Sequence, residues 1–166
     1  KIDAAIQNLW ENKIIKKCNS PWNTPLVCVW RKEKQDIRLC LDFRQLNLIT
    51  KRQAFPMPSI SELLDKLEGA KYFSSIDLGN AYYQVELDEE SKEKTAFSTK
   101  TGQYCFNRMP FGIAAAPGTF QELMNKVLEK MENAIVYLDD ILIFTESKEK
   151  HYERVEEVLE RIGKAG

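Results

Sequence analysis

Apolar residues along this chain follow two periods, and the switches between them predict the elements. Ile2, Ala5, Ile6 and Leu9 recur at helical spacing, so the chain opens with a short amphipathic helix. Residues 26–30 and 37–43 read as two strands joined by the charged turn 31–36, after a Pro-containing loop over 20–25. A second connector, Ala54-Phe55-Pro56-Met57-Pro58, precedes a helix that starts at Ser59. That helix has a Ser59/Glu62 capping box and an apolar face of Ile60, Leu63, Leu64 and Leu67, and Gly69 lies where it should stop. Residues 72–78 predict a strand ending near Asp77. Gln84, Glu86 and Asp88 alternate with Val85 and Leu87, which is strand-like again. Residues 97–99 and 103–107 flank Lys100-Thr101-Gly102 as a hairpin. From Pro117 a helix carries Phe120, Leu123, Met124, Val127, Leu128 and Met131 on one stripe, a stripe that reads as core. Ser147 then N-caps a last helix with Tyr152, Val155, Leu159 and Ile162 on its face. Helices and hairpins mix without a βαβ rhythm, so the predicted class is α+β with an antiparallel sheet.

One run departs from both periods. Ala134-Ile135-Val136-Tyr137-Leu138-Asp139-Asp140-Ile141-Leu142-Ile143-Phe144 holds two adjacent carboxylates among residues that are otherwise apolar or aromatic. Charge inside such a run is costly unless paired or bound to metal. A hairpin relieves part of this, with 135–138 going up, 141–144 coming back and the aspartates at the tip. Strand neighbours point to opposite faces, so the two aspartates need not do equal work. Asp77 ends another apolar strand and is the best third carboxylate. If the strands are antiparallel neighbours, Asp77 and Asp139 can face one cation. Oxygen-only ligation suits Mg²⁺, or Mn²⁺ in its place. Two such ions are the usual device for in-line phosphoryl transfer. A turn with solvated carboxylates is the plain alternative, and these residues alone leave both readings open. A glycosidase needs its carboxyls on opposite sides of a sugar, and an aspartic protease needs an Asp-Thr-Gly or Asp-Ser-Gly triplet that does not occur.

Bulk properties narrow the choice. The 166 residues, 43% hydrophobic, suit a globular unit with a real core and contain no apolar stretch long enough to span a bilayer. His151 is the only histidine, so a His-built metal site or a Ser-His triad is disfavoured. Cys18, Cys28, Cys40 and Cys105 form no CxxC pair and read as reduced thiols. A net charge of −1 argues against a generic nucleic-acid-binding domain. Residues 1–52, however, carry 11 Lys/Arg against 5 Asp/Glu, while 53–166 carry 13 against 20. A basic first third beside an acidic remainder fits a polyanion gripped by one part and metal held by the other, with ordinary solvated surface as the alternative. No closing strand follows the last helix, and the expectation is a piece of a longer protein.

Tyr137-Leu138-Asp139-Asp140 resembles the YxDD box of reverse transcriptases. The likeness runs across the chain: residues 37–47, the Asp77 segment 73–85, Lys94-Thr95-Ala96-Phe97, Met109-Pro110-Phe111-Gly112-Ile113 and Ala116-Pro117-Gly118-Thr119-Phe120 each look like an ordered motif of that family. The MPFG form, and YLDDILIF followed by a His-containing helix, are similar to gypsy-type (Metaviridae) long-terminal-repeat retrotransposons rather than retroviruses.

The resemblance implies the fingers and palm of a right-hand polymerase, with an antiparallel palm sheet packed on helices. All of 1–166 would be one reverse transcriptase domain, a fragment of a Pol polyprotein. Residues up to about 60 would be fingers, and from about 61 mostly palm with a further fingers insertion. The implied activity is RNA-directed DNA polymerisation, a nucleotidyl transfer with two Mg²⁺ ions. The other reading is a non-catalytic subunit or domesticated remnant that keeps the fold. Asp77, Asp139 and Asp140 would hold the metals, helped by the Leu78 backbone. Leu78, Gly79, Asn80 and Ala81 would lie under the dNTP triphosphate. Tyr82 matches the steric gate against ribose, and Phe111 sits beside the nucleotide where retroviral enzymes carry Gln. Arg31, Lys32 and Arg38 match cations that contact the triphosphate, Arg being suited to bidentate phosphate contact. Trp30 stands where the family often has Pro before that basic turn. Tyr137, Leu138, Arg44, Pro110 and Gly112 match primer and template contacts. Partners would be an RNA or DNA template with its primer, dNTPs, the thumb and RNase H of the polyprotein and, as a further option, a second copy; no membrane is expected. Localisation would be cytoplasmic, within virus-like particles. The fragment alone would extend primers poorly.

Overall fold

Carboxylates end one strand and sit at the hairpin tip of another, and the fold brings those two ends together. The computed structural model describes residues 1–31, 36–51 and 60–166. Ser59 and the connector 54–58 lie outside the described residues, as do 32–35 of the charged turn. The chain forms two compact units, one from Lys1–Arg52 with Tyr82–Ala116, the other from Gln53–Ala81 with Pro117–Gly166.

In the first unit, helix α1 (Ile2–Glu11) leads into strand β1 (Ile15–Lys17). Strands β2 (Leu26–Arg31) and β3 (Asp36–Leu41) form an antiparallel pair, with Val29 opposite Arg38. Strands β5 (Phe97–Thr99) and β6 (Gly102–Phe106) form the expected hairpin, and β1 adds to it in the order β1-β6-β5. Ile6, Ile15, Phe97, Tyr104 and Phe106 make the core, with Phe97 and Phe106 ring centroids 5.7 Å apart. The predicted strand over 37–43 stops at Leu41, because Asp42 starts a helix instead. Its carboxylate accepts the Arg44 N–H at 3.2 Å, an Asx turn that opens α2 (Arg44–Ile49). The strand expected over 84–88 is reduced to one bridge, Glu86 with Arg108. A 3₁₀ turn occupies Ala81–Gln84, and Asp88 begins α4 (Glu89–Lys94) rather than continuing an alternation. All four cysteines are free thiols, and burial pushes that of Cys105 up to about 12.

The second unit holds α3 (Ile60–Lys66), which ends ahead of Gly69 at φ +79°, a backbone setting that favours glycine. Strands β4 (Tyr72–Asp77), β7 (Ala134–Tyr137) and β8 (Asp140–Thr145) form an antiparallel sheet in the order β4-β8-β7. Helix α5 (Ala116–Val127) contributes the buried Phe120 and Met124, as its stripe predicts, whereas Leu123 is exposed. Helix α6 (Lys148–Ala165) packs on β4 and β8, and Ser147 caps it by accepting the Lys150 N–H. Its inward face is rotated by one residue from the predicted one: Tyr152 and Leu159 are exposed, and His151 and Val158 are buried. The cause is polar. His151 shares a 2.8 Å hydrogen bond with Ser74 Oγ on β4 and a 3.1 Å one with Thr145 Oγ1 on β8, partners that hydropathy does not register. Among the described residues no helix is long and apolar enough to cross a membrane.

The Asp88 cap makes a test of the first unit. Its carboxylate accepts the Ser91 N–H at 2.8 Å, and that hydrogen bonding holds its pKa below the ordinary value. A depressed folded pKa adds stability above the unfolded value of about 3.9 and loses it as pH falls through the folded one. Asp88→Ala should therefore lower the melting temperature at pH 7. The gap to the parent chain should close as pH falls below the unfolded value of about 3.9 in a series of thermal melts.

Candidate active site

The β7–β8 hairpin turns in two residues, Leu138 and Asp139, between the paired Tyr137 and Asp140. Leu138 has φ +57°, a left-handed setting that costs a non-glycine residue on the order of 1–3 kcal/mol. A positive φ at the first turn residue alone is the pattern of a II′ hairpin, in which glycine is usual. Beyond the turn, β8 runs antiparallel to β4 in a register that sets Asp77 directly opposite Asp140. Directly opposed residues share one face of a sheet, so these two carboxylates point the same way. Asp139 meets the end of β4 through its backbone, its carbonyl accepting the Leu78 N–H at 2.9 Å.

These aspartates are not buried. Asp77 and Asp140 are exposed and Asp139 is half-buried, because the apolar run is a hairpin with a solvent-facing tip. The tip holds the aspartates clear of the core, as the hairpin reading expects. The turn residues, however, are Leu138 and Asp139 rather than Asp139 and Asp140, and the carboxylate opposite Asp77 is Asp140 rather than Asp139. Among the described residues, no ion pair or side-chain hydrogen bond engages any of the three, and no group of three His, Cys, Asp or Glu side chains is arranged as it stands to hold a metal ion. The donor set is two facing carboxylates plus one on the adjoining turn, all oxygen and open to solvent. This incomplete set fits Mg²⁺, which takes a few carboxylates and fills its shell with water and substrate phosphates.

After Asp77 the chain turns sharply. Asn80 has φ +56°, and the Ala81 N–H donates to the Leu78 carbonyl at 3.1 Å. The N–H groups of Leu78 and Ala81 are thereby committed within the chain, while those of Gly79 and Asn80 make no hydrogen bond among the described residues.

Other predicted residues lie in the first unit. Tyr82 and Phe111 have ring centroids 4.9 Å apart, and Tyr83 meets Phe111 edge-on at 5.2 Å. Both Tyr82 and Phe111 are half-buried. The loop carrying Phe111 is fixed by Asn47 of α2, whose Nδ2 donates to the Gly112 carbonyl and whose Oδ1 accepts the Ala114 N–H, each at 2.8 Å. Gly112 sits at φ +94° with the Phe43 ring against it. Pro110 is fully buried and presents no surface, whereas Tyr137 is 40% exposed. Arg44 is exposed and paired to Asp42 at 2.6 Å. The backbones of Arg31 and Arg38 belong to β2 and β3; their side chains, and all of Lys32, lie outside the described residues.

A family model described as reverse transcriptase (RNA-dependent DNA polymerase) matches residues 30–166. The chain belongs to the reverse transcriptase family. It is 40% identical over 171 aligned residues to the retrovirus-related Pol polyprotein of Drosophila melanogaster transposon 297, covering 99% of this chain and 16% of that protein. Against the Pol polyprotein of transposon gypsy from the same fly it is 37% identical over 95% of the chain and 16% of the relative. These reverse transcriptase relatives agree with the gypsy-type reading of the motifs. Among solved structures, the foamy viral protease-reverse transcriptase in complex with an RNA/DNA hybrid superposes with a TM-score of 0.90 at 28% identity, over 99% of this chain and 22% of that one. The antiparallel α+β fold is thus that of a reverse transcriptase, and the chain spans about a sixth of the curated relatives it matches, 16% of their length.

Motif reading missed Gln121. It lies on α5 at 1% exposure, its Oε1 accepts the Leu138 N–H at 2.9 Å, and its Nε2 donates to the Val136 carbonyl at 3.0 Å. The available signal was a polar residue beside the buried Phe120 on a helix whose next turn supplies Met124.

Asp77 and Asp140 are like charges in direct cross-strand register, an arrangement that destabilises a sheet unless a cation lies between them. Both are exposed, so solvent screens most of the repulsion. Asp77→Asn should raise the melting temperature by about 1–3 °C in EDTA, and the advantage should shrink as Mg²⁺ is added. A lower melting temperature in EDTA would contradict the repulsion.

Proposed function

We propose that this chain is the fingers and palm of a gypsy-type reverse transcriptase that adds dNTPs to a primer 3′-OH on an RNA or DNA template. The observation that carries this reading is the register of Asp77 opposite Asp140 beside the Asp139 turn, in a chain of reverse transcriptase sequence. Asp77, Asp139 and Asp140 would hold two Mg²⁺ ions, or Mn²⁺ in their place, and metal bound there would supply acidification of the attacking hydroxyl and charge neutralisation on the leaving pyrophosphate. The chain itself supplies position. The free N–H groups of Gly79 and Asn80 face the triphosphate, next to the Leu78 and Ala81 backbone. Arg31, Lys32 and Arg38 add positive charge to the phosphates. Tyr82, backed by Phe111 at 4.9 Å, limits the space at the sugar 2′ position. Tyr137, Leu138, Arg44 and Gly112 face primer and template; the buried Pro110 has no surface to offer them.

The first unit corresponds to fingers and the second to palm in this reading. The whole enzyme includes thumb and RNase H parts, works in cytoplasmic virus-like particles and is free to pair with a second copy.

In the full-length enzyme, Asp77→Asn or Asp139→Asn should reduce primer extension by more than about 100-fold while circular dichroism and thermal melts stay near those of the parent. Normal extension by either variant would remove the two-metal assignment. No extension by the parent enzyme would favour a non-catalytic subunit that keeps the fold.

Tyr82→Val should admit ribonucleotides, narrowing the preference for dNTP over rNTP by about tenfold or more in single-nucleotide incorporation. Unchanged sugar selectivity would take the gate away from Tyr82.

A further inference from the structure

Strand β7 stands at one edge of the sheet β4-β8-β7, so half of its backbone groups face away from β8. Parity shows which half. The Phe144 N–H donates to the Asn133 carbonyl, and two-residue hairpin closure pairs Tyr137 with Asp140. Asn133, Ile135 and Tyr137 therefore bond to β8, while Val136 and Leu138 turn their polar groups to the open edge. Gln121 meets those two residues. One carboxamide accepts from the Leu138 N–H at 2.9 Å and donates to the Val136 carbonyl at 3.0 Å, as a peptide group of an added strand would. Its second N–H is used by Asn125 Oδ1, one helical turn along α5, at 3.1 Å. The side chain is 1% exposed and both of its amide N–H groups are engaged.

This clamp grips the residue that most needs holding. Leu138 occupies φ +57° without being glycine, and it immediately precedes Asp139. The direction in which Asp139 leaves the turn depends on Leu138 staying in that setting. Gln121 is anchored to a helix with a buried face, so it fixes the turn against the body of its unit rather than against another loop.

We propose that Gln121 is a positioning residue for the reaction: through the Leu138 N–H and the Val136 carbonyl it holds the strained turn that aims the Asp139 carboxylate. This inference rests on the polymerase reading above. It assigns Gln121 no contact with substrate.

The test is a double-mutant cycle in the full-length enzyme, read by single-nucleotide extension. Gln121→Met keeps the side chain's length and removes both bonds to the turn. It should lower the maximal rate by about 10–100-fold, raise the Mg²⁺ concentration for half-maximal rate and leave KM for dNTP within about threefold. Leu138→Gly lets the turn adopt a positive φ without strain. Within the Leu138→Gly background, Gln121→Met should cost less than about threefold, because the turn no longer needs forcing. Equal losses in the two backgrounds, or no loss from Gln121→Met alone, would overturn the proposal. If Gln121→Met does not fold, Gln121→Leu carries the same cycle, since it keeps an apolar side chain of similar volume and removes both the acceptor for Leu138 and the donor to Val136. A readout independent of activity is amide hydrogen exchange. The Leu138 amide should exchange at least about tenfold faster in the variant, and unchanged exchange would overturn the clamp. If the parent enzyme extends no primer, the polymerase reading fails while the exchange experiment still decides whether Gln121 holds the turn.

Discussion

Everything at the candidate site depends on the pairing of β4 with β8. Six consecutive residue pairs, from Tyr72 opposite Thr145 to Asp77 opposite Asp140, fix where two distant stretches of chain end relative to each other. Side chains alternate between faces with period two, so slipping this pairing by one residue would send one carboxylate to the opposite face. The apolar residues of β8 prevent the slip. Ile141 and Ile143 are fully buried, and a one-step shift would expose them at a cost of about 1.5–3 kcal/mol each. Hydrophobic burial in the strand thus sets the geometry of charges that are themselves exposed. His151 adds a polar lock from α6, bonding Ser74 on one strand and Thr145 on the other.

That coupling explains why so much was legible. The run around Asp139 and Asp140 is apolar because β8 must be buried, and its tip is charged because the tip is not. A strand pattern interrupted by two carboxylates is the projection of this arrangement onto one dimension. Asp77 shows the same projection, as a charge ending an apolar strand. The hairpins, the amphipathic α1 and α5 and the cap at Ser147 follow from local periodicity and capping chemistry, which act over a few residues and leave signatures of that length.

The misses share a cause. Asp42 ends β3 by an Asx turn, Asp88 caps α4 instead of extending a strand, and His151 turns α6 by one residue to reach Ser74 and Thr145. In each case a polar side chain finds a specific partner, over two or three residues for Asp42 and Asp88 and across 77 residues for His151 and Ser74. Hydropathy scores these residues as surface or neutral. The bonds of Asp42 and Asp88 are local but compete with an apolar alternation that reads as strand, whereas the bond His151 makes across the fold carries no spacing by which to recognise it.

Three side-chain carboxamides extend this point to the irregular segments. Gln121 bonds the Val136 carbonyl and the Leu138 N–H; Asn47 bonds the Gly112 carbonyl and the Ala114 N–H; Gln103 bonds the Ser20 N–H together with the Ser20 and Trp22 carbonyls. In the first two the donor and acceptor lie two residues apart, the spacing at which a strand offers its groups to a neighbour. A carboxamide carries one acceptor and adjacent donors in a plane, so it substitutes for a peptide unit where no strand is available. Backbone groups in such segments must find partners or water, and a buried one left without either costs about 1–3 kcal/mol. Asn47 and Gln121 therefore do for the Phe111 loop and the Asp139 turn what a ladder does for a sheet. Each holds, from a helix, a segment whose shape its own sequence would not maintain, as the positive φ of Gly112 and of Leu138 attests. Precision at both places comes from amides that sit outside the motif residues themselves.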